Sequence, residues 1–231
     1  MGYGTTLTPL LLLAGFEPLA IVPAILLSEF VTGLSAGMLH HCDGNVDLLR
    51  DKETRKITLL LVSLSTIGAL AAVFLAIQIP KTWLKGIITV IVLFVGILII
   101  ITRHKQLRYR PSHIIGIGVL AAFNKGLSGG GYGPLVTGGQ VVSGISAKKA
   151  VVITSLAEAF TCLVGFSAYI FTVGLPEWNL VIPLTTGALL SVPMATLTIR
   201  NLSESIVRSS VGIVICVLGL LTMIKFILEF V

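Results

Sequence analysis

Charge is what this chain has least of. Only 11% of its 231 residues are Asp, Glu, Lys or Arg, where a soluble domain carries about a quarter. With 55% apolar residues and a mean hydropathy of +1.02, that scarcity excludes an ordinary water-soluble globule. Cysteine is scarce as well. Cys42 lies in a polar stretch, Cys162 and Cys216 lie inside apolar segments, and no Cys-x-x-Cys occurs, which argues against a membrane thiol-redox carrier. No Ser/His/Asp set, His-Glu-x-x-His or phosphate-loop pattern is present, so the expectation is no enzyme and no cofactor. The start lacks a basic n-region, so no cleavable signal is expected.

What the chain has instead is apolar blocks long enough to cross a bilayer. They predict an all-α polytopic membrane protein. The net charge of +6 does not point to nucleic acid, because the Lys and Arg residues sit in short loops between apolar blocks, where they set orientation. The reading along the chain is a short helix at about 6–15, a tight turn at Gly15-Phe16-Glu17-Pro18, and spans at about 19–38, 57–78 and 85–102. A helix at about 113–126 leads into a break, a half-length helix runs from Pro134 to Val142, and spans at about 148–173, 180–199 and 206–230 finish the chain.

The break reads Asn124-Lys125-Gly126-Leu127-Ser128-Gly129-Gly130-Gly131-Tyr132-Gly133-Pro134. Clustered glycines make a poor helix interior and leave backbone open to a ligand, and Pro134 suits the first turn of a new helix. Charge placement supports a re-entrant path. If Arg103, Lys105, Arg108 and Arg110 lie inside, a chain that dips, turns at the glycines and returns keeps Lys148, Lys149, Arg200 and Arg208 inside and leaves Trp178 outside. One continuous span would reverse that bias.

A shift of 129 residues aligns the break with the start of the chain. Gly2-Tyr3-Gly4 falls on Gly131-Tyr132-Gly133, Thr8 on Thr137, Gly15 on Gly144 and Glu29 on Glu158, among 10 identities over residues 2–37. The re-entrant path runs the two copies in opposite directions. The expected plan is therefore two inverted-topology repeats with broken or re-entrant half-helices at the midplane: 1–102 as the first repeat, 103–112 as a basic cytoplasmic linker and 113–231 as the second. Carriers of that plan hold substrate between discontinuous helices. Gly4 and Gly131 should then lie close together.

Gly129-Gly130-Gly131-Tyr132-Gly133-Pro134-Leu135, followed by a short apolar helix, a glycine turn and a long helix opening Ala147-Lys148-Lys149-Ala150-Val151, resembles the sulfite exporter TauE/SafE family. Thr5 to Pro9, with Leu10 to Gly15 behind it, resembles the degenerate first copy, and the resemblance covers nearly the whole chain. It implies a multi-pass carrier in a bacterial or archaeal inner membrane, with a small sulfur-containing anion such as sulfite, thiosulfate or sulfoacetate as partner. In the second copy a helix leads into the motif. We therefore expect an upstream start that supplies the counterpart ahead of Gly2, or else an α-amino group used in a wet cavity.

The expected substrate-binding residues are Gly4, Thr5, Asn124, Lys125, Ser128, Gly129, Gly130, Gly131, Gly133 and Gln140. Glycine N–H groups at a helix N-terminus can hold an anion, although small residues also serve close helix packing. Lys125 at membrane depth marks function unless it snorkels to a surface. Glu29 and Glu158, the carboxylates inside long spans, are proton-coupling candidates, or else acceptors for backbone N–H of the facing broken helix. Thr8, Thr137, Thr154 and Ser155 are further polar linings, though such hydroxyls commonly bond their own helix. His40-His41-Cys42-Asp43 lacks spaced partners and reads as a solvated loop end, with no metal expected. His104 and His113 flank the basic loop and are expected at the headgroups. The leading function is a secondary transporter of small anions. An anion channel of the same fold and a non-transporting membrane assembly factor remain open, the latter predicting that Gly131→Leu harms folding alone.

Overall fold

The computed structural model describes residues 3–42, 52–102, 111–142, 145, 147–201 and 204–230. Among these residues there are nine helices and no strand. They are α1 (Tyr3–Leu13), α2 (Pro18–Cys42), α3 (Lys52–Gln78), α4 (Lys81–Thr102), α5 (Pro111–Ser128), α6 (Tyr132–Val142), α7 (Ala147–Val173), α8 (Trp178–Asn201) and α9 (Glu204–Phe230). Four described stretches are long and apolar enough to cross a membrane: Pro18–Met38, Thr54–Gln78, Lys81–Ile101 and Lys149–Val173. The outward face carries Phe171, Leu190, Leu120, Leu228 and Phe94. A water-soluble fold would bury such a surface, and lipid solvates it. The chain is a polytopic helical membrane protein.

Where the elements differ from the sequence reading, the polar flanks explain it. α2 continues to Cys42 and α3 begins at Lys52, because helix hydrogen bonding runs on past the apolar stretch through residues that only the membrane excludes. α5 opens at Pro111, where a missing N–H costs a first helical residue nothing. Asp43 and the basic run Arg103 to Arg110, with His104, lie outside the described residues. His40, His41 and Cys42 lie in the last turn of α2, and His113 in the first turn of α5.

Two breaks organise the centre. At the first, Ala14 to Glu17 separate α1 from α2, with Gly15 at φ 96°. At the second, Gly129 at φ 75° and Gly131 at φ 84° carry left-handed backbone that L side chains rarely adopt, and they turn the chain between α5 and α6. α6 folds back along α5, so that Tyr132 and Val136 share a core cluster with Ala121 and Ala122. The fold-back on which the re-entrant path depends is therefore present.

Small residues let the long helices approach closely. A Cβ added to Gly68 would sit 2.6 Å from the Val119 carbonyl oxygen, and one on Gly126 2.9 Å from that of Ala69, so α3 and α5 meet backbone to backbone, as small residues allow in membranes. α2 packs on α7 and α8, α3 on α7, and α4 on α9. A larger core cluster joins α1, α2, α4 and α7 through Leu12, Ile25, Val92 and Tyr169. The N-terminal turn of α1 meets the second break within this packing.

Candidate functional site

The N-terminal turn of α1 lies directly on the glycine break. A Cβ at Gly4 would fall 2.0 Å from the Gly129 carbonyl oxygen, and one at Gly130 2.4 Å from the Thr5 nitrogen. Only glycine at both places permits that contact. The Gly131 N–H donates to Thr5 Oγ1 at 2.7 Å. Thr8 Oγ1 donates to the Gly4 carbonyl at 2.8 Å and lies 2.7 Å from that of Ser128. The two glycine motifs meet, as the sequence expectation for Gly4 and Gly131 required.

Asn124 and Ser128 stiffen the turn from the α5 side. Asn124 Nδ2 donates to the Gly130 carbonyl at 3.1 Å, and Ser128 Oγ donates to the Asn124 carbonyl at 2.8 Å. The Gly130 N–H reaches Ser128 Oγ at 3.3 Å, and the Gly129 N–H continues the helix pattern to the Lys125 carbonyl at 2.8 Å. The N–H groups of Gly4, Gly129, Gly130 and Gly131 are thus all donated within the protein. A dry interior demands this, because an unmade backbone hydrogen bond is costly there. The sequence reading took these glycines as an open cradle. In this structure they form a compact crossing.

Beside the crossing lies an ion cluster. Lys125 is fully buried, so its side chain does not snorkel. Its Nζ donates to Glu158 Oε1 of α7 at 2.9 Å and is paired with Glu29 Oε2 of α2. The other Glu29 oxygen, Oε1, accepts the Gly4 N–H at 3.0 Å. Cys162 Sγ lies 3.9 Å from Glu29 Oε2. The carboxylates that the 129-residue shift aligns therefore converge on one ammonium from two different helices. Glu29 also caps the broken helix α1, where a negative group suits the exposed N–H ends and the helix dipole.

Gln140 is set apart from this cluster. It lies on α6, is buried, and donates from Nε2 to Thr154 Oγ1 of α7 at 2.8 Å, while its Oε1 has no protein partner. Gly133 is buried in the first turn of α6. Sequence reasoning missed three supports. Tyr169 donates its hydroxyl to the Gly126 carbonyl at 3.0 Å, Tyr132 pairs with Ser65 at 2.8 Å, and Lys225 of α9 donates to the Leu12 and Leu13 carbonyls at 3.3 and 2.9 Å. Lys225 had a visible signal, a cation inside an apolar segment. The two tyrosines had none, since both kinds of partner are set by packing. Among the described residues no group of three or more His, Cys, Asp or Glu is placed to hold a metal.

The comparisons with known proteins bear on this geometry. The family model for the sulfite exporter TauE/SafE matches residues 1–222. The chain belongs to the TauE/SafE family. A relative from Bacillus subtilis (strain 168), described as "Probable membrane transporter protein YtnM", is 28% identical over 240 residues, covering 97% of this chain and 77% of its own length. No solved structure matches. This TauE/SafE chain is thus a membrane transporter by family, and its fully buried Lys125 is held between two acids beside the place where α1 meets the turn between α5 and α6.

Proposed function

We propose that this chain is a secondary transporter of small anions, of the class of sulfur oxyanions and organosulfonates that includes sulfite, thiosulfate and sulfoacetate. The observation that carries the reading is Lys125, fully buried beside the N-terminal turn of α1 and the turn into α6. A cation at membrane depth is expensive and is kept for a function. In this reading Lys125 supplies the positive charge. Backbone and side-chain donors from Gly4, Thr5, Asn124, Ser128, Gly129, Gly130, Gly131 and Gly133 shape the oxyanion place once the crossing opens. Gln140 lines the route with an amide, and Glu29 and Glu158 handle the coupling proton. The chain moves its solute without transforming it and resides in the inner cell membrane.

We also keep the division into repeats 1–102 and 113–231 about a basic linker, related by inverted topology. Helix lengths support it: 11, 25, 27 and 22 residues for α1 to α4, then 11, 27, 24 and 27 for α6 to α9.

Uptake of labelled sulfite or sulfoacetate into liposomes holding the purified protein tests the reading. The expected result is saturable uptake that shows counterflow and falls at least tenfold in Lys125→Met, a drop of one decade or more being about 1.4 kcal/mol or more of lost interaction. Flux that neither saturates nor shows counterflow would make the chain a channel. Folded protein with no flux across a panel of such anions would overturn the reading. Gly131→Leu does not serve as a discriminator. A Cβ there would meet Asn124 Nδ2 at 2.2 Å and would sit on left-handed backbone, so folding suffers under any function.

A further inference from the structure

Two carboxylates, their side chains 10% and 15% exposed, share one buried ammonium. With Lys125, Glu29 and Glu158 all ionised, the cluster carries one surplus negative charge, and a buried charge without a partner is neutralised by a proton sooner than it is tolerated. Among the described residues, the other groups facing the two acids bring no positive charge: the Gly4 N–H of α1, Cys162 of α7 and Tyr132 of α6. Before an anion arrives, charge balance leaves one ammonium, one carboxylate and one carboxylic acid.

Resting on the anion-transport reading above, we propose that an incoming anion replaces the remaining carboxylate on Lys125 and that the displaced carboxylate takes up one proton, so that a singly charged oxyanion is carried electroneutrally. Before binding, Lys125 balances a carboxylate. After binding, it balances the anion while both acids are protonated. The difference is one proton per negative charge. Glu29 is the group that gives way. Its two oxygens sit on Lys125 and on the first turn of α1, the two kinds of donor an oxyanion needs, so its carboxylate is a tethered stand-in for the substrate. Protonation weakens both contacts together. A dianion such as thiosulfate or sulfoacetate brings a second negative charge and needs a second proton.

The experiment uses liposomes containing the full chain and a trapped pH dye, with methanesulfonate as the probe because it stays a monoanion, so any proton that moves with it is carried by the protein. One proton should enter with each methanesulfonate, at a rate unchanged when the membrane potential is clamped at either sign. Glu29→Gln and Glu158→Gln should each keep the one-to-one ratio, because one titratable acid remains. The double variant should carry methanesulfonate with no proton, at a rate that follows the potential. Saturable methanesulfonate flux in the unmodified protein that moves no proton, or that follows the potential, overturns the coupling and leaves the anion reading standing. A single Gln variant that loses the proton while keeping anion flux overturns the shared-pair account. Absence of saturable flux for both methanesulfonate and sulfite overturns the anion reading and this inference with it. Should the double variant fail to fold, the unmodified protein's proton ratio decides.

Discussion

At the scale of single residues, Lys125 and the acids around it show what a sequence can and cannot disclose. Lys125, Glu29 and Glu158 announced themselves because a charge within an apolar run is too costly to be incidental. That they pair with each other was not legible. Glu158 lies 33 positions from Lys125, and the meeting depends on how α2, α5 and α7 pack. Removing the ammonium leaves two acids facing one another with no cation. Lys125→Met should therefore lose about 3–5 kcal/mol of stability, the usual result of breaking a buried ion pair, read as a lowered unfolding midpoint in detergent. Glu158→Gln keeps a hydrogen-bond acceptor for Lys125 and should lose less. If Lys125→Met is as stable as the unmodified protein, the cluster is not the packed ion site described here.

At the scale of elements, the crossing of α1 with the break between α5 and α6 depends on the absence of side chains. Gly4→Ala and Gly130→Ala should each push α1 away from the break between α5 and α6, since the added Cβ would meet backbone at 2.0 and 2.4 Å and backbone cannot swing aside. The expected outcome is loss of folded yield by size-exclusion profile. Gly187→Ala on α8, where nothing lies within 4 Å, should leave the profile unchanged, alanine being the better helix former by about 1 kcal/mol. The breaks themselves were readable, because glycine runs and Pro134 disrupt a helix pattern by local chemistry. Their use was only half readable. Glycine at a break can free N–H groups or permit contact, and local sequence does not choose between these. The choice came from Thr5, Ser128 and Glu29, which take up the N–H groups of Gly131, Gly130 and Gly4. Tyr169 on the Gly126 carbonyl was invisible for a related reason, since a backbone acceptor leaves no mark in a sequence.

At the scale of the whole molecule, the apolar blocks carried most of the helix layout. The long helices were legible because lipid imposes both a length and a composition. Their polar ends were not, as α2 and α3 show. The orientation proposed from the basic loops predicts that Leu175→Cys reacts with a membrane-impermeant thiol reagent from outside the cell and Lys56→Cys only from inside. Both positions are exposed, and a background with Cys42 and Cys216 replaced suffices because Cys162 is buried. Labelling of both from the same side would remove the inverted arrangement of the two halves.

α1 is too short to cross a bilayer, at about 16 Å, and both its ends are held from elsewhere, by Glu29 at Gly4 and by Lys225 at Leu12 and Leu13. The second of these holds has a consequence for biogenesis. The C-terminal end of α1 is secured by a residue made 212 positions after Leu13. During synthesis that end of α1 stays unsecured until α9 is delivered. A chain arrested before Lys225 should therefore have the end of α1 open to protease, and one carried past α9 should have it protected.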